Sequence, residues 1–207
     1  MALPVLIMGK SGSGKSASMR NFTADEIDII NVEGKPLPFR NDFTTFNTDD
    51  YQHVIKGLKV SKKNVVVIDD AGYLITNQFM NNHAAVGGGN AVFALYNDIA
   101  DKFWRLIEII KNDIDKDKIV YIIMHENTND FGEVKPKTIG KLLDEKVCIE
   151  GMFTIVLRAE KDGDNYVFRT STSGLDVTKT PMGMFETESI DNDLKEVDRV
   201  IREYYNM

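Results

Sequence analysis

The sequence predicts an α/β fold, a mostly parallel five-stranded sheet flanked by helices, with a β-hairpin and a terminal helix near its C-terminal end. Three observations carry this. Short apolar runs alternate with stretches of helical period, the pattern of parallel βα units. The run Val65-Val66-Val67-Ile68 is wholly apolar and β-branched, as a strand buried on both faces must be. Between residues 91 and 111, Val92, Tyr96, Ile99, Phe103, Leu106 and Ile110 recur at steps of four and three, which makes one continuous helical stripe.

Taken in order, residues 3–8 form the first strand and 15–22 open the first helix. Residues 27–32 are a second strand, followed by a loop containing Pro36 and Pro38. Tyr51, Val54, Ile55 and Leu58 mark one face of a short helix before the 65–68 strand. Residues 77–90 are polar and end in Gly87-Gly88-Gly89, so they read as a loop ahead of the long helix. Residues 119–124 and 152–157 are the fourth and fifth strands. The segment 161–165 turns into a hairpin strand at 166–170. Leu194, Val197 and Ile201, with Tyr204 or Tyr205, line a terminal amphipathic helix. The 207 residues read as one domain, 1–207, with residues from about 152 onward as an appendage.

Composition narrows the function classes. Hydrophobic residues at 43% and charged residues at 28% are ordinary for a globular chain. No apolar run approaches the ~20 residues of a membrane span. The N-terminal stretch has no basic lead and does not read as a secretory signal. The single cysteine, Cys148, excludes an intramolecular disulfide and suits a reducing compartment, so a cytoplasmic location is expected. A net charge of −7 speaks against a basic coat, although local loops can still carry nucleic-acid contacts.

The chemistry begins at Gly9-Lys10-Ser11-Gly12-Ser13-Gly14-Lys15-Ser16, which satisfies G-x-x-x-x-G-K-[ST] between a predicted strand and a predicted helix. Glycines let the backbone curl with its N–H groups inward, forming a nest for phosphate. Lys15 then offers charge to the β- and γ-phosphates, and Ser16 offers its hydroxyl to Mg²⁺. Lys10 reads as a solvated lysine. Asp69 and Asp70 end the 65–68 run. Asp69 is placed to hold Mg²⁺ through water, and Asp70 to polarise an attacking water. Glu33, ending the second strand, is a second candidate base, and the tight turn Gly34 permits tilts the choice toward it. His125, directly after 119–124, stands where a γ-phosphate sensor would. ATP is favoured over GTP because no Asn-Lys-x-Asp guanine-reading motif is present.

With these residues the chain resembles small phage-encoded RecA-like P-loop ATPases of single-strand annealing and recombination, the phage nucleotide-binding AAA family. The resemblance rests on residues 9–16, Val32-Glu33-Gly34, 65–70, His125 and Lys179-Thr180-Pro181-Met182-Gly183-Met184-Phe185. It implies a RecA-like sheet, ATP and Mg²⁺ as ligands, self-association and single-stranded DNA as partner. It implies DNA-binding loops at 77–90 and 126–141, the latter with Lys135, Lys137, Lys141 and Phe131. It also implies a cation donated to a neighbour's nucleotide, with Arg158, Arg169 and Lys179 as candidates and the last two preferred. A small-molecule kinase is disfavoured, since Arg105 is the one arginine between Asp70 and Ile149 and lies within the long helix. A nucleotide-dependent switch or partition-type ATPase is the remaining alternative.

Overall fold

The computed structural model describes residues 1–140 and 142–207. Its central sheet begins with β1 (Leu3–Gly9), β2 (Ile27–Asn31), the short β3 (Thr45–Asn47) and β4 (Val65–Asp69). It continues with β5 (Ile119–Thr128), β7 (Ile155–Asp162), β8 (Asn165–Arg169) and β9 (Ser189–Asp191); β6 (Val134–Pro136) folds back onto the end of β5. The order is β3-β2-β4-β5-β1-β7-β8-β9. From β3 to β7 every neighbouring pair is parallel, and β8 and β9 add antiparallel strands at the far edge.

The two faces are covered differently. On one lie α1 (Tyr51–Val60), α2 (Gly72–Asn82) and α3 (Asn90–Asp113), which bury Val54, Leu74 and Phe103 against Leu6, Ile68 and Ile122. On the other, α4 (Leu194–Tyr205) sets Leu194, Val197 and Ile201 against Val5, Tyr121 and Leu157. There Tyr121 donates its buried hydroxyl to Asp198, which Arg202 braces one turn on. No described helix is long and apolar enough to cross a membrane.

Several elements depart from the sequence reading. The helix expected at 15–22 is a 3₁₀ helix, Ser16–Asn21. Its side chains compete for the backbone: Ser18 Oγ donates to the Lys15 carbonyl and Arg20 to that of Ala17. The loop expected at 77–90 is helical up to Asn82, where Phe79 packs against the core and stacks on Tyr96, and Asn90 already opens α3. The strand expected at 119–124 runs on to Thr128, since β6 satisfies its polar end through Glu126↔Pro136 and Thr128↔Val134. The expected 126–141 loop therefore starts as a β-hairpin. Met152 belongs to a 3₁₀ turn, Ile149–Met152, and β7 starts three residues later than expected.

One consequence of the strand order positions the site. β5 lies between β1 and β4, and Gly9 is in register with both His125 and Ala159. The phosphate loop, the histidine and the acid pair thus leave the same end of the sheet. Gly9 is glycine because a Cβ there would stand 2.5 Å from the Ala159 carbonyl oxygen and 2.5 Å from Ser13 Oγ. Gly9→Ala is expected to destabilise the chain by about 1–3 kcal/mol, as overpacking does, and to weaken nucleotide binding. A urea midpoint equal to wild type would reject this account of Gly9.

Candidate functional site

The loop after β1 is built for close approach of an anion. Gly12 and Gly14 hold φ of 77° and 89°, a left-handed conformation that glycine adopts without strain. The Lys15 ammonium is buried and donates to the carbonyls of Gly9 at 2.9 Å and Lys10 at 2.7 Å. Burial lowers its pKa, opposed by the charges of Asp70, Asp69 and Glu126. Ser16 Oγ donates to Asp69 Oδ1 at 2.8 Å, tying the loop to the end of β4. Burial pushes the Asp69 carboxyl up to about 6, against that hydrogen bond.

Asp70 points into the same cleft from a left-handed backbone, φ 57°. Its carboxylate meets Lys35 Nζ at 2.6 Å and His125 Nε2 at 3.5 Å. Burial alone would raise its carboxyl; the hydrogen bonds from His125 and Lys35, with the Lys35 charge, outweigh it and hold the group at about 2. Lys35 lies over the Tyr73 ring, whose edge also meets His125. The cleft has a volume of about 710 Å³, and Lys15, Ser16, Lys35, Asp70 and His125 line it.

The cleft gathers residues that the sequence did not single out for it. Lys35 arrives through the Gly34 turn, and Tyr166 lies across Gly14, where a Cβ would come within 2.9 Å of its ring. Glu126 is 1% exposed and held bidentately by Arg158 at 2.8 and 2.9 Å. Glu126 sat in an expected loop, and only the β5–β6 pairing turns it inward. No local signal marked Lys35.

Most other candidates lie outside the cleft. Glu33 does not line it and accepts a hydrogen bond from Asn77, which also reaches Asp49. Lys10 is exposed. Arg169 pairs with Glu160 and Asp162 on the β7–β8 hairpin. Lys179 is bridged to Val156 through its backbone. Phe131 is 86% exposed at the tip of the β5–β6 hairpin, where Asn129 organises the turn. Lys135 and Lys137 are exposed along the returning strand, and Lys137 also borders the cleft. Lys141 lies outside the described residues.

Two observations test whether a magnesium–nucleotide fits. Among the described residues, Ser13 Oγ and both amide atoms of Asn192 are buried without a hydrogen-bond partner, and both residues adjoin the loop. The donor set beside them, a serine hydroxyl and a carboxylate, is hard oxygen, as Mg²⁺ requires. Ser16 and Asp69 would hold the ion, directly or through water, and the loop with Lys15 would hold the phosphates. The family model described as AAA domain matches residues 1–182. No curated protein matches the chain.

Through its buried carboxyl, Asp69 sets a pH dependence of stability. Its carboxyl is raised from 3.8 to about 6, so the native chain binds that proton more tightly than the unfolded one. Stability therefore falls as pH rises from about 4 to about 6, and the deficit persists above that. Asp69→Asn is expected to raise stability at pH 7.5 by about 1–3 kcal/mol in urea with a chelator, a gain that vanishes near pH 4. The same variant is expected to lose the Mg²⁺-dependent part of nucleotide affinity. A less stable variant at pH 7.5 would reject the assignment of Asp69 as an under-compensated buried acid.

Proposed function

The chain belongs to the AAA domain family, and from that premise we propose that it is an Mg²⁺-dependent ATPase whose turnover is coupled to single-stranded DNA. The observation that carries the ATPase reading is the 2.8 Å bond between Ser16 and Asp69, with Asp70 beside it in the cleft that Lys15 lines. A loop for phosphate, an oxygen pair for the ion and a second acid facing the terminal phosphate are the parts that hydrolysis needs.

The chemistry assigned to these residues is a single displacement. A water oxygen bonds to the γ-phosphorus while the bond from that phosphorus to the β–γ bridging oxygen breaks. The electron pair stays on ADP, and the water proton passes to the Asp70 carboxylate and then to solvent or product phosphate. Mg²⁺ held by Ser16 and Asp69 would supply charge neutralisation to the phosphates. Asp70 is preferred over Glu33 as base because it lines the cleft and Glu33 does not. His125, within reach of Asp70, keeps that carboxylate oriented.

The DNA part is supported by the β5–β6 hairpin. An exposed phenylalanine at its tip and two exposed lysines on its return suit stacking and backbone contacts to a single strand. The hairpin is the direct continuation of the strand that carries His125, and Lys137 N–H donates to the His125 carbonyl at 2.7 Å. A strand gripping the hairpin would thus act on a segment bonded to His125, the residue beside Asp70. The finer placement among phage-encoded RecA-like recombination ATPases, a cytoplasmic location and self-association into an oligomer all belong to this proposal.

Steady-state hydrolysis with and without single-stranded DNA, with Lys15→Ala as the blank, tests it. Stimulation by DNA is expected, falling with added salt. Asp70→Asn is expected to cut kcat by about 10²-fold or more, while Glu33→Gln changes it little. Phe131→Ala combined with Lys135→Ala is expected to abolish stimulation and leave the DNA-free rate. Hydrolysis indifferent to DNA at low salt would overturn the DNA part and favour a nucleotide-dependent switch.

A further inference from the structure

Besides Lys15, and Lys137 at its border, Lys35 reaches the phosphate cleft from the same chain, and its position is built rather than incidental. Asn31, 3% exposed at the end of β2, accepts from Gly34 N–H at 2.9 Å and donates to the Lys35 carbonyl at 2.7 Å. Gly34 itself takes φ 64°. This turn carries Glu33 toward Asn77 and sends Lys35 across to Asp70. The Lys35 side chain remains 55% exposed, so its ammonium is free to exchange partners within the cleft. Arginines of the C-terminal hairpin are already engaged: Arg158 with Glu126 and Glu160, Arg169 with Glu160 and Asp162.

We propose that Lys35 is a catalytic residue that supplies, in cis, the positive charge meeting the transferring phosphoryl group. As ATP binds, its ammonium passes from Asp70 to a γ-phosphate oxygen. The proposal rests on the ATPase reading and adds to it where the cation comes from. In the step, the bond from water oxygen to γ-phosphorus forms and the bond to the β–γ bridging oxygen breaks, its electron pair leaving with ADP. The water proton goes to Asp70. Lys35 keeps its protons throughout and stabilises the charge spread over the three non-bridging oxygens. The exchange also makes hydrolysis self-timing: Asp70 is released from its ion pair only when a γ-phosphate is present to take Lys35.

The test compares wild type, Lys35→Ala and Lys35→Arg in single-turnover hydrolysis and in equilibrium ATP binding, with urea midpoints as the check on folding. Lys35→Ala is expected to lose about 10²–10³-fold in the hydrolysis step, with ATP affinity and midpoint close to wild type and partial recovery in Lys35→Arg. Mixing then separates cis from trans. A Lys15→Ala chain, blocked at its own phosphate loop, still presents Lys35 to a neighbour. Mixed with Lys35→Ala it is expected to restore nothing. Restored activity on mixing would overturn the proposal in favour of a trans cation. A wild-type hydrolysis step in Lys35→Ala, or a loss confined to ATP affinity, would overturn it too. Wild-type protein that hydrolyses nothing would instead sink the ATPase reading itself.

Discussion

The hydrogen bond from Ser16 to Asp69 is the interaction on which the site depends, because it joins two strands that do not touch. β1 and β4 are separated by β5, so no ladder couples the phosphate loop to the acid strand. The serine at the start of the 3₁₀ helix spans that gap. It also gives the Asp69 carboxylate a partner in a position that burial makes hostile to charge. Once the bond is made, the loop, the central strand and the acid that follows Asp69 are fixed in one frame. The rest of the fold holds that frame still. Helices cover one face, and α4, tied in by Tyr121 and Asp198, covers the other.

Within the frame, two neighbouring aspartates are driven apart in character. Asp69 is buried against one hydroxyl and sits at about 6, while Asp70 faces Lys35 and His125 and sits at about 2. Burial thus disfavours the anion at Asp69, while the cationic partners of Asp70 favour it there. The backbone at Asp70 is left-handed, φ 57°. An aspartate held there carries a conformational cost of order 1 kcal/mol or more. The ion pair with Lys35 and the bond from Ala71 N–H to the Ile123 carbonyl hold it in place.

Much of this was legible in the sequence wherever function and fold use contiguous residues. The phosphate loop is one unbroken octapeptide, and the strands buried on both faces are unbroken apolar runs, so β1, β4, β5 and the acid pair could be read directly. What the sequence concealed depends on pairing at a distance. Glu126 and Arg158 are far apart in the chain and become a part-buried pair only because β5 overruns its apolar segment and β7 runs on past Leu157. α2 was hidden because its asparagines and glycine are poor helix formers and its anchoring residues are few. The second strand's end shows the limit most clearly. The Gly34 turn was read as exposing Glu33, whereas Asn31 closes it so that Lys35 enters the cleft instead.

The charges lining the cleft bear on how an acidic protein holds a triphosphate. Lys15, Lys35 and Lys137 line the cleft with Asp70, Asp69 is bonded to Ser16 beside it, and Glu126 is largely neutralised by Arg158, so the carboxylates offset most of the lysine charge. A metal-free nucleotide tetra-anion would meet little net attraction there and, in Asp69, a buried acid that its Ser16 hydrogen bond only partly compensates. The magnesium complex removes both objections at once, lowering the ligand's charge and giving Asp69 a reason to stay ionised. Affinity in such a cleft comes from matched partners and not from bulk charge. That is how a site for one of the most anionic of common metabolites can sit in a chain with a net charge of −7.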